Sequence, residues 1–182
     1  DINKCVTMDA KKVSNLLFIV GETKNELGGS HYYKIHGQLG ANVPKVDLET
    51  APKIAERIAG AIAAGLVVSC HDCSEGGLAV ALAEMAFAGG LGIEADLRGL
   101  PKSGDCSRID TQLFSESNSR YVVEVEPENY DGFAKLMLNL PFGQIGKITE
   151  EKKLTIKAED GKTVIELDLD SMKQAWQKPL DW

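Results

Sequence analysis

The segment from His71 to Gly90, with the sequence HDCSEGGLAVALAEMAFAGG, constrains the fold of this chain more than any other part. It predicts a buried strand over Leu66–Cys70, which is apolar and β-branched, and a polar loop over His71–Glu75. A helix from about Gly76 to Ala88 follows, and the glycines at 89 and 90 end it, as glycine commonly does at a helix C-terminus. The segment therefore predicts a strand, a loop and a helix in direct succession.

The start of this helix is a candidate anion site. Its unpaired N–H groups and the positive end of the helix macrodipole favour a phosphate there, which makes Ser74, Gly76 and Gly77 the candidate nucleotide-binding residues. Asp72, on the same loop, is a candidate ligand for magnesium, because Mg²⁺ prefers one or two carboxylates together with phosphate oxygens. These residues predict a magnesium–nucleotide site where the strand meets the helix.

The same segment also fits a purely structural role. Ser74 is a good N-cap residue. Leu78, Leu82 and Met85 form one helical stripe that is typical of a protein core. The chain has no Walker A lysine after Gly77 and no GxGxxG pattern, so the glycines alone do not define a phosphate loop. From the residues alone, both interpretations remain open.

Strands and helices are interspersed along the rest of the chain. The last third is rich in strands, and Asp160-Gly161 marks a hairpin turn there. The predicted strands are Leu16–Val20, Gly92–Leu97, Arg120–Val125, Phe142–Ile148, Lys153–Glu159 and Thr163–Leu167, and the predicted helices are Lys53–Gly65, Ile109–Phe114, Pro127–Leu138 and Leu169–Trp176. This succession predicts an α/β (α+β) layered domain with a mixed sheet and packed helices, rather than a regular parallel sheet.

Composition places the chain among ordinary globular domains. It has 182 residues, of which 43% are hydrophobic and 26% charged, and these values suit one domain spanning residues 1–182. The net charge of −7 argues against free nucleic acid as a partner, since phosphate backbones bind basic patches. No apolar run approaches the roughly 20 residues of a membrane span, and the N-terminus lacks a signal-peptide pattern. Because the chain opens on Asp1 rather than Met, we expect a domain excised from a longer multidomain protein. The cysteine usage leads us to expect that this protein is cytoplasmic.

Cys70 and Cys73 form a CxxC pattern, which raises the question of zinc or redox chemistry. Structural zinc usually needs a second pair of ligands, and the chain offers none at a suitable spacing. Cys70 ends a predicted buried strand, where cysteine behaves as a small hydrophobic residue. We therefore expect reduced thiols with no redox or metal role.

Three short motifs carry a resemblance to a known family. ELGGS at 26–30, HDCSEGGL at 71–78 and LFSES at 113–117 match motifs of the formylglycinamidine ribonucleotide amidotransferase (phosphoribosylformylglycinamidine synthase) family in order and spacing. Over essentially its whole length, the chain resembles the last domain of the synthetase portion of that enzyme. The resemblance implies an AIR synthase C-terminal-like fold, in which helices pack on a mixed sheet.

The resemblance also implies roles for individual residues. In the large form of the enzyme, the aspartate and serine of the HDxS motif help to bind a magnesium–nucleotide complex, and they match Asp72 and Ser74. The synthetase portion is an internal duplication, and by this pseudo-symmetry Glu116 and Ser117 occupy a substrate-contact position. Asn118 differs from the glutamine of the active half, so the resemblance implies an auxiliary nucleotide site. In the small form of the enzyme, the resemblance leaves even that auxiliary role open.

No catalytic residue is assigned to this chain. The family's catalytic histidine and main ATP-binding residues lie in preceding domains, and His71 does not match that histidine. We expect His71 to orient the loop by hydrogen bonding. The structural alternatives for the LFSES motif are a solvated Glu116, a surface pair between Glu116 and Arg120, and serines at 115 and 117 that cap backbone groups in a turn.

The resemblance implies part of an ATP-dependent ligase that converts formylglycinamide ribonucleotide to the amidine with glutamine-derived ammonia in purine biosynthesis. Mg²⁺ and ATP or ADP are the implied cofactors. Upstream synthetase domains and a glutaminase component are the implied partners, with a homodimer as a further assembly, and the domain alone is expected to be inert. Two alternatives are a scaffold or oligomerisation domain that binds no nucleotide, and the same domain of another synthetase or kinase in the superfamily.

Overall fold

Seven strands form one mixed sheet in the computed structural model, which describes residues 2–180. The strands are β1 (Leu16–Val20), β2 (Ser69–Asp72), β3 (Gly92–Asp96), β4 (Tyr121–Val125), β5 (Phe142–Thr149), β6 (Lys153–Lys157) and β7 (Thr163–Asp168). Their order across the sheet is β2-β4-β1-β5-β3-β6-β7. β3 and β6 run parallel, and the five other neighbouring pairs run antiparallel. The predicted mixed sheet is therefore confirmed.

Helices pack on both faces of this sheet, but on one of the two faces they leave β3 and β6 exposed. They are α1 (His31–Ile35), α2 (Thr50–Ala63), α3 (Gly77–Gly89), α4 (Ile109–Phe114), α5 (Tyr130–Leu136) and α6 (Leu169–Gln177). Side chains alternate between the two faces along a strand. In β1, Leu17 and Ile19 join the core beneath α3 and α6, whereas Phe18 and Val20 join the core beneath α2 and α5. Burial on both faces explains why the sequence of β1 is a continuous apolar run rather than an alternating one.

The polar motifs gather at one end of the sheet. The register pairs Asp72 with Tyr121, Tyr121 with Val20, and Val20 with Phe142, so these four strand ends lie side by side. The ELGGS loop leaves from β1 at this end, the HDCSEGG segment leaves from β2, and the LFSES segment enters β4. Motifs that are far apart in the sequence therefore become neighbours through strand pairing.

The structure corrects the boundaries of the strand that was predicted at Leu66–Cys70. Residues 66–68 are not part of the strand: β2 covers Ser69–Asp72, so His71 and Asp72 belong to the strand rather than to the loop. The N–H of Leu66 donates instead to the carbonyl of Ala61 and closes the last turn of α2, after Gly65 at a φ of +73°. A glycine in this left-handed conformation ends a helix readily, and the chain then needs the following residues to reach the sheet.

The start and end of α3 also differ from the prediction. Gly76 (φ +78°) is the cap and Gly77 the first helical residue, so Ser74 is not the N-cap. Gly89 lies inside the helix, and Gly90 ends it at a φ of +63°. A Cβ on Gly89 would lie 2.2 Å from the carbonyl oxygen of Ala10, so this glycine lets the N-terminal segment cross the helix.

Other predictions hold with small changes. The helix at Ile109–Phe114 and the strand at Leu16–Val20 have the predicted bounds, while α2 begins at Thr50 and ends at Ala63. The helix predicted from Pro127 begins as a 3₁₀ turn and continues as the shorter α5. Within residues 2–180, no helix is both long and apolar enough to cross a membrane.

Candidate functional site

The side chain of Glu116 joins the three motifs. Its Oε1 accepts hydrogen bonds from the backbone N–H of His31, at the start of α1, and from that of Gly76, at the start of α3, both at 2.9 Å. The backbone N–H of Glu116 donates to the carbonyl of Glu26 in the ELGGS motif, at 3.4 Å. A carboxylate at a helix N-terminus is favoured by the helix dipole. The hypothesis of a solvated Glu116 is therefore wrong, because one oxygen of its side chain accepts hydrogen bonds from the N-terminal ends of two helices.

The two serines of LFSES bind the loop that precedes ELGGS. Ser115 Oγ donates to the carbonyl of Lys24 at 2.6 Å, and Ser117 Oγ accepts the N–H of Lys24 at 3.1 Å. Both side chains are buried. They bind backbone groups, as the structural alternative has it, but these groups belong to a distant loop rather than to the serines' own turn. The implied contact of Ser117 with a ligand stays a prediction.

Arg120 lies beneath these loops and is 1% exposed. Its guanidinium donates to Thr23 Oγ1 and to the carbonyl of Ser117, each at 3.0 Å, and also to the carbonyl of Ser115. Burial lowers the pKa of this group. The predicted surface pair between Arg120 and Glu116 is wrong, because the arginine lies inside the protein and binds backbone and hydroxyl oxygens instead.

Asp72 ends β2 and is accessible to solvent, with 59% of its side chain exposed. The hydroxyl of Ser74 donates to its carboxylate and is the main cause of a lowered pKa, so Asp72 is ionised at neutral pH. His71 Nε2 lies 2.7 Å from Glu84 Oε2 on α3, and its Nδ1 lies 3.5 Å from Asp72 Oδ1. His71 thus forms a hydrogen bond, as predicted, but its partner is Glu84 on α3, so the bond ties the strand end to the helix.

Gly76 and Gly77 of the HDCSEGG segment have structural roles in the packing of α3. The N–H of Gly76 is bound by Glu116, and that of Gly77 donates to the carbonyl of Ser74 at 3.0 Å. A Cβ on Gly77, which has a φ of +64°, would lie 2.4 Å from the carbonyl oxygen of Ser115. Gly77 therefore permits the close approach of α3 to the end of α4. The predicted phosphate contacts of both glycines stay predictions.

Two concavities flank the LFSES loop and share Asn118 and Ser119 in their walls. The first, which we call the acidic cleft, has a volume of about 380 Å³ and is lined by Pro44, Asp72, Cys73, Ser74, Glu75, Glu116, Asn118, Ser119, Arg120 and Tyr121. The second, which we call the lysine cleft, has a volume of about 250 Å³, and its charged lining residues are Glu22, Lys24, Glu26, Lys45 and Asp47. The structure therefore brings the predicted metal ligand, Ser74 and Glu116 to one cleft and Ser117 to the other.

A magnesium ion in the acidic cleft would need ligands from a bound molecule as well as from the protein. Among the residues that the structure describes, no group of three His, Cys, Asp or Glu side chains could hold a metal ion. Asp72 offers one ionised carboxylate on the acidic cleft. That donor set fits Mg²⁺ only when phosphate oxygens and water complete the coordination, which is how this ion is commonly bound next to nucleotides.

The CxxC pattern has the character expected of core cysteines. Burial raises the pKa of Cys70 to about 12 and raises that of Cys73 as well. The thiolate is the reactive and metal-binding form of cysteine, so both thiols are poor nucleophiles at neutral pH. The four cysteines, all within residues 2–180, form no disulfide with one another.

Sequence reasoning missed the lysine cleft. Glu26 belongs to the ELGGS motif, yet it is 5% exposed and its Oε1 accepts the N–H of Lys45 at 3.2 Å. Lys24, Lys45 and Asp47 come from two separate loops, and no spacing links them. The one available signal was the clustering of charges around ELGGS, which is equally typical of an exposed loop.

Together, the sheet and its two clefts define an α/β domain with a polar, cleft-bearing surface at one end of a mixed sheet. Residues 12–159 match the model of the family described as "AIR synthase related protein, C-terminal domain", and the chain belongs to this family. The family resemblance predicted from the three motifs is thereby confirmed.

Individual relatives narrow the comparison. The chain is 37% identical over 185 residues to phosphoribosylformylglycinamidine synthase subunit PurL of Caldanaerobacter subterraneus subsp. tengcongensis. That alignment covers 100% of this chain but only 24% of the relative, so the chain spans about a quarter of that protein's length.

Solved structures support the fold. T. maritima PurL complexed with FGAR superposes with a TM-score of 0.81 at 19% identity, covering 93% of this chain and 29% of that one. HypE of E. coli, a hydrogenase maturation protein, gives a TM-score of 0.65 at 18% identity, covering 91% and 52%. Since PurL and HypE both share the architecture of this chain, the fold alone does not show which of the two proteins the chain resembles in function.

Proposed function

We propose that this chain is a domain of the ATP-dependent ligase that amidates formylglycinamide ribonucleotide in purine biosynthesis, using ammonia derived from glutamine. The observation that carries the proposal is the 37% identity to a PurL subunit along the whole chain. The meeting of the three motifs around Glu116 adds support, since it makes one surface of segments that the sequence keeps far apart.

Within that enzyme the domain would form one wall of a cleft for a nucleotide or the ribonucleotide substrate. Asp72 would bind a magnesium ion that is carried in by the phosphates of ATP or ADP. The Ser74 hydroxyl and the N–H groups of Gly76 and Gly77 would contact phosphate oxygens. Glu116 and Ser117 would face the substrate or an auxiliary nucleotide. Magnesium would neutralise phosphate charge, which is its general contribution to phosphoryl chemistry.

The internal hydrogen bonds set conditions on such binding. The Ser74 hydroxyl already donates to Asp72, and the Gly76 N–H already donates to Glu116. A phosphate would have to compete with two carboxylates of the chain itself for these donors. Asp72 is free of that competition, because a carboxylate that accepts one hydrogen bond keeps other lone pairs for a cation. We therefore expect binding to depend on magnesium.

Catalysis would require the rest of the synthetase. No catalytic residue is assigned within this chain, and we expect it to be inert alone. Its proposed partners are the other synthetase domains and a glutaminase component; one related structure is described as PurLQS from T. maritima. The PurL likeness also supports the cytoplasm as the compartment.

One alternative function has an observation in its favour. The same fold occurs in HypE, so this domain could serve another enzyme of the superfamily. The 37% identity to PurL weighs against this alternative, because the HypE likeness is confined to the fold. A scaffold that binds no nucleotide is the second alternative, and the titration described next tests it.

Titration calorimetry of ADP, with and without Mg²⁺, tests the proposed site. We expect magnesium-dependent binding that Asp72→Asn weakens by about tenfold or more, equal to ~1.4 kcal/mol. Asp160→Asn, in the exposed β6–β7 turn, is the matched control and should bind as the wild type does. If this chain binds nothing, the titration is repeated on the longer synthetase. The longer enzyme also holds the main ATP site, so the number of ADP sites is counted: an Asp72→Asn enzyme that keeps both the number of sites and their affinities would contradict the proposed site.

A further inference from the structure

Exposed apolar side chains are concentrated in one short segment, residues 35–48, which we call the strap. Leu39 is 78% exposed and Leu48 is 84% exposed. The exposed large apolar residues of the strap are Ile35, Leu39, Val43, Val46 and Leu48. Isolated exposed apolar residues are ordinary in soluble proteins, but five of them within one short segment make that segment a candidate interaction surface.

The strap is held in a defined position on the body. The N–H groups of Gly28 and Gly29 donate to the carbonyls of Asn42 and Leu39, at 2.8 and 2.7 Å. A Cβ on Gly28 would lie 2.6 Å from the carbonyl carbon of Asn42, so the glycine of ELGGS lets the strap approach closely. The exposed side chains are therefore carried by a fixed backbone, as in a preformed docking surface.

The strap also borders both clefts. Its Pro44 lines the acidic cleft, and its Lys45 and Asp47 line the lysine cleft. Any structure that covers the apolar side chains of the strap must therefore lie beside or over the clefts.

The charges that line the acidic cleft indicate which groups a partner facing the cleft must supply. Its lining includes the carboxylates of Asp72, Glu75 and Glu116, while its one guanidinium, that of Arg120, is buried and already donates to three oxygens. Such a wall repels a polyphosphate at short range. A cation and basic side chains from an opposite wall would have to balance it.

We infer that the strap docks another domain of the same synthetase, through an apolar face whose rim carries lysine or arginine toward the acidic cleft. This inference rests on the proposed function, in which this chain is one domain of a longer enzyme. A second copy of this chain fits less well. A two-fold interface on the strap would bring two acidic clefts together in chains that each carry a net charge of −7.

Thiol labelling of the full-length synthetase tests the inference. Leu39→Cys and Leu48→Cys are compared with Leu138→Cys, a control whose native side chain is 65% exposed and lies outside the strap. Labelling is followed peptide by peptide by mass spectrometry, without nucleotide. We expect both strap thiols to react roughly tenfold or more slowly than the control, because they react only when the interface opens.

Two results would overturn the inference. Equal labelling of the strap and control thiols would show that no domain covers the strap. Protection that disappears on dilution of the enzyme would identify a second copy as the occupant. A second variant adds a direct test: Leu48→Asp should restore the labelling of Leu39→Cys, and Leu138→Asp should not.

The outcome is separable from that of the proposed nucleotide site. Labelling is measured without ligand, whereas the nucleotide site is tested by ADP titration of Asp72→Asn. Protected strap thiols together with ADP binding that ignores Asp72 would leave the docking surface in place and contradict only the nucleotide site.

Discussion

The LFSES region and the outer face of β3 and β6 are both rich in polar residues, but they stabilise the fold in different ways. Arg120 is buried, and its donors satisfy two backbone carbonyls of the LFSES segment and the hydroxyl of Thr23 on a separate loop. Glu94 on β3 pairs with Lys157 at 2.6 Å and with Lys147 at 3.7 Å, and all three side chains are more than one-third exposed. Exposed pairs contribute little, whereas an unpaired buried polar group costs much. Polar sequence alone therefore does not reveal which residues the fold depends on.

Arg120 should show the largest effect. Arg120→Met keeps the length of the side chain but leaves buried acceptors without a donor, so we expect a loss of about 3 kcal/mol or more in unfolding free energy. Urea denaturation measures it. Lys157→Met, on the exposed face, is the control and should cost less than about 1 kcal/mol. Similar losses for the two variants would contradict the comparison.

Substitution of Gly77 should have the second largest effect on stability. Gly77→Ala forces a Cβ to within 2.4 Å of the Ser115 carbonyl at a φ of +64°, and we expect a loss of about 2–3 kcal/mol. Gly60→Ala in α2 is the matched control, because a Cβ there meets nothing within 4 Å. That variant should stabilise the protein by about 0.5–1 kcal/mol, since alanine favours a helix interior. Thermal unfolding of both variants provides the comparison.

Glu116 should have an intermediate effect. Glu116→Gln retains an oxygen that can accept the N–H groups of His31 and Gly76 but loses the charge that favours both helix starts, so we expect a loss of about 1 kcal/mol. Glu116→Ala removes the acceptor and should cost about twice as much. Hydrogen exchange should locate the increased opening at residues 31 and 76–78. Unchanged protection there would show that Glu116 does not join the motifs.

Asp72 should give the smallest change in stability, because its side chain is largely exposed. Its folded pKa is lowered, so its ionised form stabilises the fold above the ordinary aspartate value of 3.8, and this contribution is lost as the pH falls through the lower, folded pKa. The difference in Tm between wild type and Asp72→Asn should be constant above pH 3.8 and shrink below it. A difference that grows as the pH falls would have the wrong sign.

The strand–loop–helix order and the mixed sheet were predictable because they depend on apolar periodicity and on the spacing of turn residues. The exact start of β2 was not. Its register is set by pairing with β4, where Ser69 faces Glu124 and Asp72 faces Tyr121. No local pattern contains that information, because pairing partners more than forty residues apart decide it.

Within the candidate site, the sequence identified the motifs but not their internal partners. Asp72, Ser74 and Glu116 were singled out, and they line one cleft. That Glu116 binds the starts of two helices could not be predicted, since its two partners, Gly76 and His31, lie 40 and 85 residues earlier in the chain. The lysine cleft was missed for the same reason.

By itself, the sequence determined the local elements and the family, because both are written in short-range patterns: the apolar run of β1, the stripe of α3, and the three motifs. Only the tertiary structure decided which polar residues are buried, which ones join separate loops, and which apolar residues stay exposed on the strap. Those properties depend on what the rest of the chain places beside each residue, and a side chain's free energy is set by that environment rather than by its neighbours in sequence.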